Sequence, residues 1–169
     1  GVGLKSNYYR PFLFFTFALN YALAGVKPLI YHLTSNAIHI FNAVLIFSLI
    51  LMSFKRKLFA FLVSLLFLIH PLQTEAVTYI SGRGDVLVAM FMLLALILFH
   101  RAERPHAEVA LAKPRALSSP LFLKTLSLVF VVLGVLSRET GIIFPLLALT
   151  FYIAVLSREK FWRSLKSGF

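Results

Sequence analysis

Long apolar blocks alternate with short polar punctuation along this chain, and six such blocks set its plan. The first runs over 11–24, with Pro11 suited to a first helical turn and Gly25 to a helix stop. Its fourteen residues rise about 21 Å against a bilayer core of about 30 Å. That length predicts an interfacial or partly embedded helix rather than a span. The second block, 28–54, is the clearest transmembrane helix: 33–54 alone holds 22 residues, about 33 Å of helix, and it ends on Lys55-Arg56-Lys57. Shorter blocks follow at 58–69, before His70-Pro71, and at 86–99. The fifth, 121–136, carries Lys124 near its start, where a lysine can snorkel, and the sixth, 142–156, has Pro145 in its first turn. The pattern predicts an all-α fold: a polytopic transmembrane helix bundle of about five spans plus an interfacial helix, in one transmembrane domain over 1–169.

Composition agrees. The chain is 60% hydrophobic and 14% charged, with a mean hydropathy of +0.89; soluble domains run at about 45–50% apolar and about 25% charged. A net charge of +11 would suggest nucleic acid in a soluble protein, but here it sorts by topology, and no nucleic-acid partner is read from it. With Lys55-Arg56-Lys57 on the cytoplasmic side, alternation places there twelve Lys and Arg: 55, 56, 57, 101, 104, 113, 115, 124, 158, 160, 163 and 166. Five remain on the other side: Lys5, Arg10, Lys27, Arg83 and Arg138. The reverse orientation would violate the positive-inside tendency. Zero cysteines remove disulfides, zinc–thiolate sites and thiol nucleophiles. The chain starts at Gly1 with no signal-peptide pattern and stops after a basic tail, so a fragment of a longer chain is expected. That tail, 157–169, reads equally as a membrane-surface helix or as a solvated helix end. Leu-Ser-Arg-Glu occurs at 136–139 and 156–159; twenty residues of helix rise about 30 Å, so the copies are expected on opposite faces.

Three polar clusters fall on the non-cytoplasmic side: Arg10; His70 to Glu75 with Arg83-Gly84-Asp85; and Ser137-Arg138-Glu139-Thr140. The apolar blocks leading into the last two are short. Polar backbone at membrane depth is tolerated only inside protein or along a water cavity, and ionisable residues there are costly. The expectation is a polar cavity opening to the non-cytoplasmic face. Arginine suits a phosphate because its planar fork donates paired hydrogen bonds. A neighbouring carboxylate can act as a base, bind a divalent cation or orient an arginine. Simple salt bridges among Glu75, Arg83, Asp85, Arg138 and Glu139 explain the same pattern equally well. No metal ligand set is assigned. On the second helix His32, Asn36, His39 and Ala43 recur at helical spacing beside Ser35 and Asn42; without a carboxylate the stripe reads as interhelical hydrogen bonding. Arg83-Gly84-Asp85 also spells an adhesion tripeptide, a chance-level match beside a glycine-flanked helix start.

These residues carry a resemblance. Tyr9-Arg10-Pro11, Tyr31-His32-Leu33, His70-Pro71-x-x-Thr74-Glu75-Ala76-Val77, Gly82-Arg83-x-Asp85 and Ser137-Arg138-Glu139-Thr140-Gly141, in this order, resemble the membrane region of the transmembrane-and-tetratricopeptide-repeat O-mannosyltransferases and their bacterial relatives. These are GT-C superfamily glycosyltransferases. The resemblance implies a GT-C-like bundle in the plasma (inner) membrane or endoplasmic reticulum, its site facing periplasm or lumen. It implies a polyprenyl-phosphate-linked sugar as donor and a protein or glycan acceptor, often protein Ser/Thr. Arg138 and Arg83 would bind the donor phosphate, His70, Glu75 and Asp85 would line the site, and Arg10 and Glu139 join them from the cavity argument. Glu75 and Asp85 are the candidate catalytic carboxylates. The family's expected base, an acidic residue of the first extracytoplasmic loop, would lie upstream of Gly1; no acidic residue precedes Glu75, and the tetratricopeptide repeats are absent. The alternatives are a lipid-phosphate transporter or flippase, and a non-catalytic membrane scaffold.

Overall fold

A computed structural model of the chain describes residues 9–103, 119–151 and 153. Seven α-helices make up the described architecture: α1 (Pro11–Ala24), α2 (Pro28–Phe54), α3 (Lys57–Ile69), α4 (Gln73–Thr78), α5 (Arg83–Glu103), α6 (Pro120–Ser137) and α7 (Phe144–Phe151). Short 3-10 turns at Ile80–Gly82 and Glu139–Ile143 lead into α5 and α7. The fold is an all-α bundle, as the apolar pattern predicts. The amphipathic tail, the second Leu-Ser-Arg-Glu, and Lys5, Arg104, Lys113 and Arg115 lie outside the described residues.

Local chemistry fixes the boundaries. Proline stands in the first turn of α1, α2 and α6, where its missing N–H costs nothing. Lys55, in the left-handed region at φ 57°, ends α2 and donates its backbone N–H to Leu51 O. The Ser119 hydroxyl caps α6 by accepting from Phe122 N at 3.2 Å. The structure lengthens two of the predicted blocks at their polar ends. The fourth grows back from residue 86 to Arg83 and on to Glu103, and the sixth begins as a 3-10 turn at Glu139. Apolar runs mark only where a helix meets lipid or core; hydrogen bonding carries the helix into the flanking polar residues.

Three helical segments are long and apolar enough to cross a membrane: Pro28–Phe54, Ile80–Glu103 and Pro120–Ser137. Pro11–Ala24, Lys57–Ile69 and Glu139–Phe151 are shorter apolar segments. The burial pattern fits lipid as the solvent. Of the six largest fully buried side chains, Arg83, Leu87, His100, Asn42, Ser35 and Ser137, five are polar, while large apolar side chains such as Leu23, Leu58, Leu66 and Leu121 face outward. Lipid is as apolar as leucine, so close packing and interhelical hydrogen bonds hold such helices together. On α5 and α6 the Ser127 hydroxyl donates to Ala95 O at 2.8 Å. Leu13, Leu87 and Phe91 form the cluster where α1 meets α5, with Phe12 edge-on to Phe91 at 4.9 Å.

Of the predicted polar stripe on α2, His39, Asn42 and Ser35 make interhelical bonds, while Asn36 is exposed. His39 Nε2 lies 3.3 Å from Leu68 O on α3, and Asn42 Nδ2 donates to Val86 O on α5 at 2.9 Å. The first of these contacts also sets the level at which α3 ends. Leu68 stands beside His39, eight residues into α2 from Tyr31, about 12 Å of helix. Helix α3 therefore stops well short of the end at which α2 begins. The remaining space is taken by α4 and the 3-10 turn, and this is where the polar residues gather.

Candidate functional site

A cleft of about 610 Å³ opens at this end of the bundle, lined by Arg10, Leu72, Glu75, Ala76, Tyr79, Ser81, Gly82, Asp85 and Arg138. Four α-helices and the 3-10 turn that supplies Ser81 and Gly82 build it. Arg10 comes from the start of α1, Glu75 and Ala76 from α4, Asp85 from the first turn of α5, and Arg138 from the residue that ends α6. A smaller groove on the α2 flank, about 470 Å³ and lined by Ile30, Leu33, Ile38, Phe41 and Met90 among others, is almost wholly apolar and holds no charge.

Two glycines allow the arrangement. A Cβ at Gly82 would stand 2.9 Å from the backbone oxygens of both Glu75 and Ala76, so only glycine lets the turn before α5 lie against α4. Gly84 faces Arg138: a Cβ there would meet Arg138 Cδ at 3.4 Å and Ser137 O at 3.5 Å. The open flank lets the arginine lie across the first turn of α5 and donate through Nη1 to Asp85 Oδ2. Its Nε is buried and has no hydrogen-bond partner among the described residues. The pair is half open to solvent, with Arg138 28% and Asp85 42% exposed.

On the other wall Arg10 grips Glu139 with two parallel hydrogen bonds, Nε to Oε2 at 2.9 Å and Nη2 to Oε1, the fork geometry that arginine makes with a carboxylate. This contact spans 129 positions of sequence. It holds the Glu139 carboxyl below the usual glutamate range, chiefly through the hydrogen bond from Arg10. Glu75 differs from both other acids. It is exposed at the cleft, and among the described residues its carboxylate has no hydrogen-bond or ion-pair partner.

Of the seven residues read from the sequence, Arg10, Glu75, Asp85 and Arg138 meet in the cleft, and Glu139 joins them through Arg10. His70 stands apart: exposed beyond the end of α3, it accepts from Leu72 N at 3.2 Å and shapes the turn into α4. Arg83 lies beneath the cleft with no exposed surface. Its Nη2 donates to Tyr31 O at 2.7 Å and its Nε to Ser35 Oγ at 3.2 Å. Helical geometry explains the separation: Arg83 and Asp85 are two positions apart, about 200° around α5, so they point to opposite sides. An arginine so enclosed also cannot serve in an adhesion tripeptide. Tyr79, Ser81 and Asn20 were not legible as site residues, although Asn20, a lone amide in an apolar helix, carried a signal. Among the described residues no three of His, Asp and Glu come together to hold a metal ion.

No family model matches the chain, and no solved structure matches it. Individual relatives do. The chain is 37% identical over 147 residues to human protein O-mannosyl-transferase TMTC1, covering 84% of this chain and 16% of that protein. Mouse protein O-mannosyl-transferase TMTC3 is 37% identical over 101 residues, 60% of this chain and 11% of that protein. Protein O-mannosyl-transferase F38B6.6 of Caenorhabditis elegans is 40% identical over 93 residues, 53% and 14%. The chain thus spans between 11% and 16% of the length of these relatives. The resemblance read from the motif series is to the same family of proteins.

Proposed function

We propose that this chain forms the donor-binding region of a membrane glycosyltransferase, one that moves a sugar, mannose by analogy with its relatives' names, from a polyprenyl-phosphate donor to a protein hydroxyl on the non-cytoplasmic side. The observation that carries this reading is the convergence of two arginines and an unpaired glutamate in one cleft at the end of an apolar bundle. Among the described residues Lys55, Arg56, Lys57, Arg101 and Lys124 lie toward the opposite end, and this basic cluster supports the orientation.

The chemistry follows from charge. In the donor, the phosphate joins the anomeric carbon as a monoanionic diester. Transfer forms a bond from the acceptor oxygen to that carbon and breaks the bond to the phosphate oxygen, which leaves as a monoester with a second negative charge. Groups that meet this new charge favour the transition state over the ground state. Arg138 and Arg10, which both line the cleft, are the groups that would do so. The acceptor hydroxyl must lose a proton, and Glu75 is the cleft carboxylate with capacity to accept it, Asp85 being engaged by Arg138. A base supplied from outside these residues, as the family resemblance implies, would leave Glu75 to orient the acceptor.

The test is transfer of radiolabelled mannose from a polyprenyl-phosphate donor to an acceptor peptide by the reconstituted full-length protein. Loss of transfer in Arg138→Ala, at normal protein level, supports the reading. Undiminished transfer would remove the cleft from the mechanism, and lipid translocation without any transfer would make the protein a transporter instead.

A further inference from the structure

Arg83 is a fully buried cation with no carboxylate partner among the described residues. A charge in a low-dielectric interior requires compensation, and here dipoles and ring faces from two other helices supply it. From α2 come Tyr31 O at 2.7 Å and Ser35 Oγ at 3.2 Å. From α1 comes Asn20: the hydrogen-bond network orients its amide oxygen toward the guanidinium, where it accepts from Nη1 at 3.2 Å, Nη2 at 3.0 Å and Thr34 Oγ1 at 3.1 Å. The Phe17 ring lies 4.7 Å from Cζ and the Tyr31 ring 5.6 Å, within cation–π range. Every nitrogen of the guanidinium is engaged.

The α1 helix is therefore tied at both ends. Its start reaches the cleft through Arg10 and Glu139, and its third turn is held to α2 and α5 through Asn20 and Phe17. We propose that Arg83 is a positioning residue. It does not touch the donor phosphate but, by holding α1, sets where Arg10 stands in the cleft. This rests on the donor reading above. A direct phosphate ligand needs an open face, and Arg83 has none.

A double-mutant cycle tests it, reading binding of a short-chain polyprenyl monophosphate to the full-length protein in detergent. Arg83→Lys and Asn20→Ala are each expected to weaken binding about fivefold, the scale of one or two lost hydrogen bonds. Neither is expected to weaken it further in an Arg10→Ala background. Weakening that persists undiminished beside Arg10→Ala, or no weakening at all, overturns the proposal. If Arg83→Lys fails to fold, Asn20→Ala, which leaves the cation in place, decides the cycle.

A second readout is independent of phosphate. Residues 1–169 contain no cysteine; with any cysteine of the full-length protein outside them replaced, Phe12→Cys with Phe91→Cys, at rings 4.9 Å apart, reports α1 on α5 through a short bismaleimide. Arg83→Lys is expected to lose most of the cross-link given by the double-cysteine protein that keeps Arg83; an unchanged yield overturns the tether. Wild-type protein that binds no phosphate overturns the donor reading instead, and the cross-link then judges Arg83 by itself.

Discussion

The α5–α6 pair carries an ion pair at each end, and the two are built alike. At one end Arg138 of α6 donates to Asp85 of α5; at the other, Lys124 Nζ of α6 lies 2.8 Å from Glu103 Oε1 of α5. What surrounds them differs. Lys124 is half exposed, a single mobile charge on a long stem near the capped start of α6. Arg138 shares a cleft with a second arginine and with Glu75, and among the described residues neither the Glu75 carboxylate nor the buried Nε of Arg138 has a hydrogen-bond partner. An ion pair alone is thus a poor sign of function. Unused hydrogen-bonding capacity beside it is a better one, because stability alone would have filled it.

The comparison breaks first at the arginine. Arg138→Ala is expected to lower transfer by about 100-fold or more, the scale of removing one donor from a developing negative charge. Arg138→Lys restores the charge but not the fork, and is expected to recover only part of the loss. Radiolabelled transfer normalised to folded protein is the measurement. If Lys124→Ala were as damaging, the distinction between the two ends would fail.

Glu75 sharpens it next. Glu75→Gln keeps the size and removes the charge and the proton-accepting oxygen. As a general base it contributes about 10²-fold, so transfer is expected to fall by about that factor while binding of the polyprenyl phosphate holds or tightens. Unchanged transfer would place the base elsewhere and leave Glu75 as a wall of the cleft.

Backbone fit comes third. Gly82→Ala forces a Cβ against two backbone oxygens at 2.9 Å. An overpacked site costs about 1–3 kcal/mol, and here the strain falls on α4, which carries Glu75. Thermal unfolding in detergent is expected to show the loss, together with reduced transfer. Gly84→Ala meets the Arg138 side chain at 3.4 Å and Ser137 O at 3.5 Å, both near ordinary contact distance, and is expected to cost less.

How much of this was legible in the sequence depends on what each residue needed. The bounds of α1 and α2 were, because proline, glycine and the Lys55-Arg56-Lys57 stop act locally. The cleft was partly so: short apolar blocks before His70 and Arg138 implied polar residues below the ends of their neighbours. The partners were not. That Arg10 would bind Glu139, 129 positions away, and that Arg83 rather than Asp85 would face α1 and α2 depend on packing angles that no spacing encodes. Arg83 and Asp85, adjacent in one motif, serve opposite sides of α5 because a helix turns about 100° per residue.

Titration separates the two walls by a smaller effect. Glu139 has its carboxyl lowered by Arg10. A group whose folded-state value lies below its unfolded one contributes stability that is fully present above about pH 4.3, the ordinary glutamate value, and is lost as pH falls through the folded value. The Arg10–Glu139 clasp is therefore expected to persist somewhat below pH 4.3, and its contribution to the thermal unfolding midpoint in detergent to fall only under that. Glu139→Gln removes the step. A transition above pH 5 would belong to some other group.

The smallest effect belongs to the other end. An exposed ion pair is typically worth about 0–1 kcal/mol and is screened by salt. Lys124→Ala is expected to shift the unfolding midpoint by no more than that scale, less in high salt, and to leave both transfer and phosphate binding at the wild-type level. Its value lies in being the matched control, with the same two helices and an ion pair of the same chemical type. If Lys124→Ala changed phosphate affinity, the ends of α5 and α6 would be coupled along their length, and losses seen in Arg138→Ala could then arise from helix displacement rather than from contact with the donor. If it does not, the loss at Arg138 is local, and it belongs to the cleft.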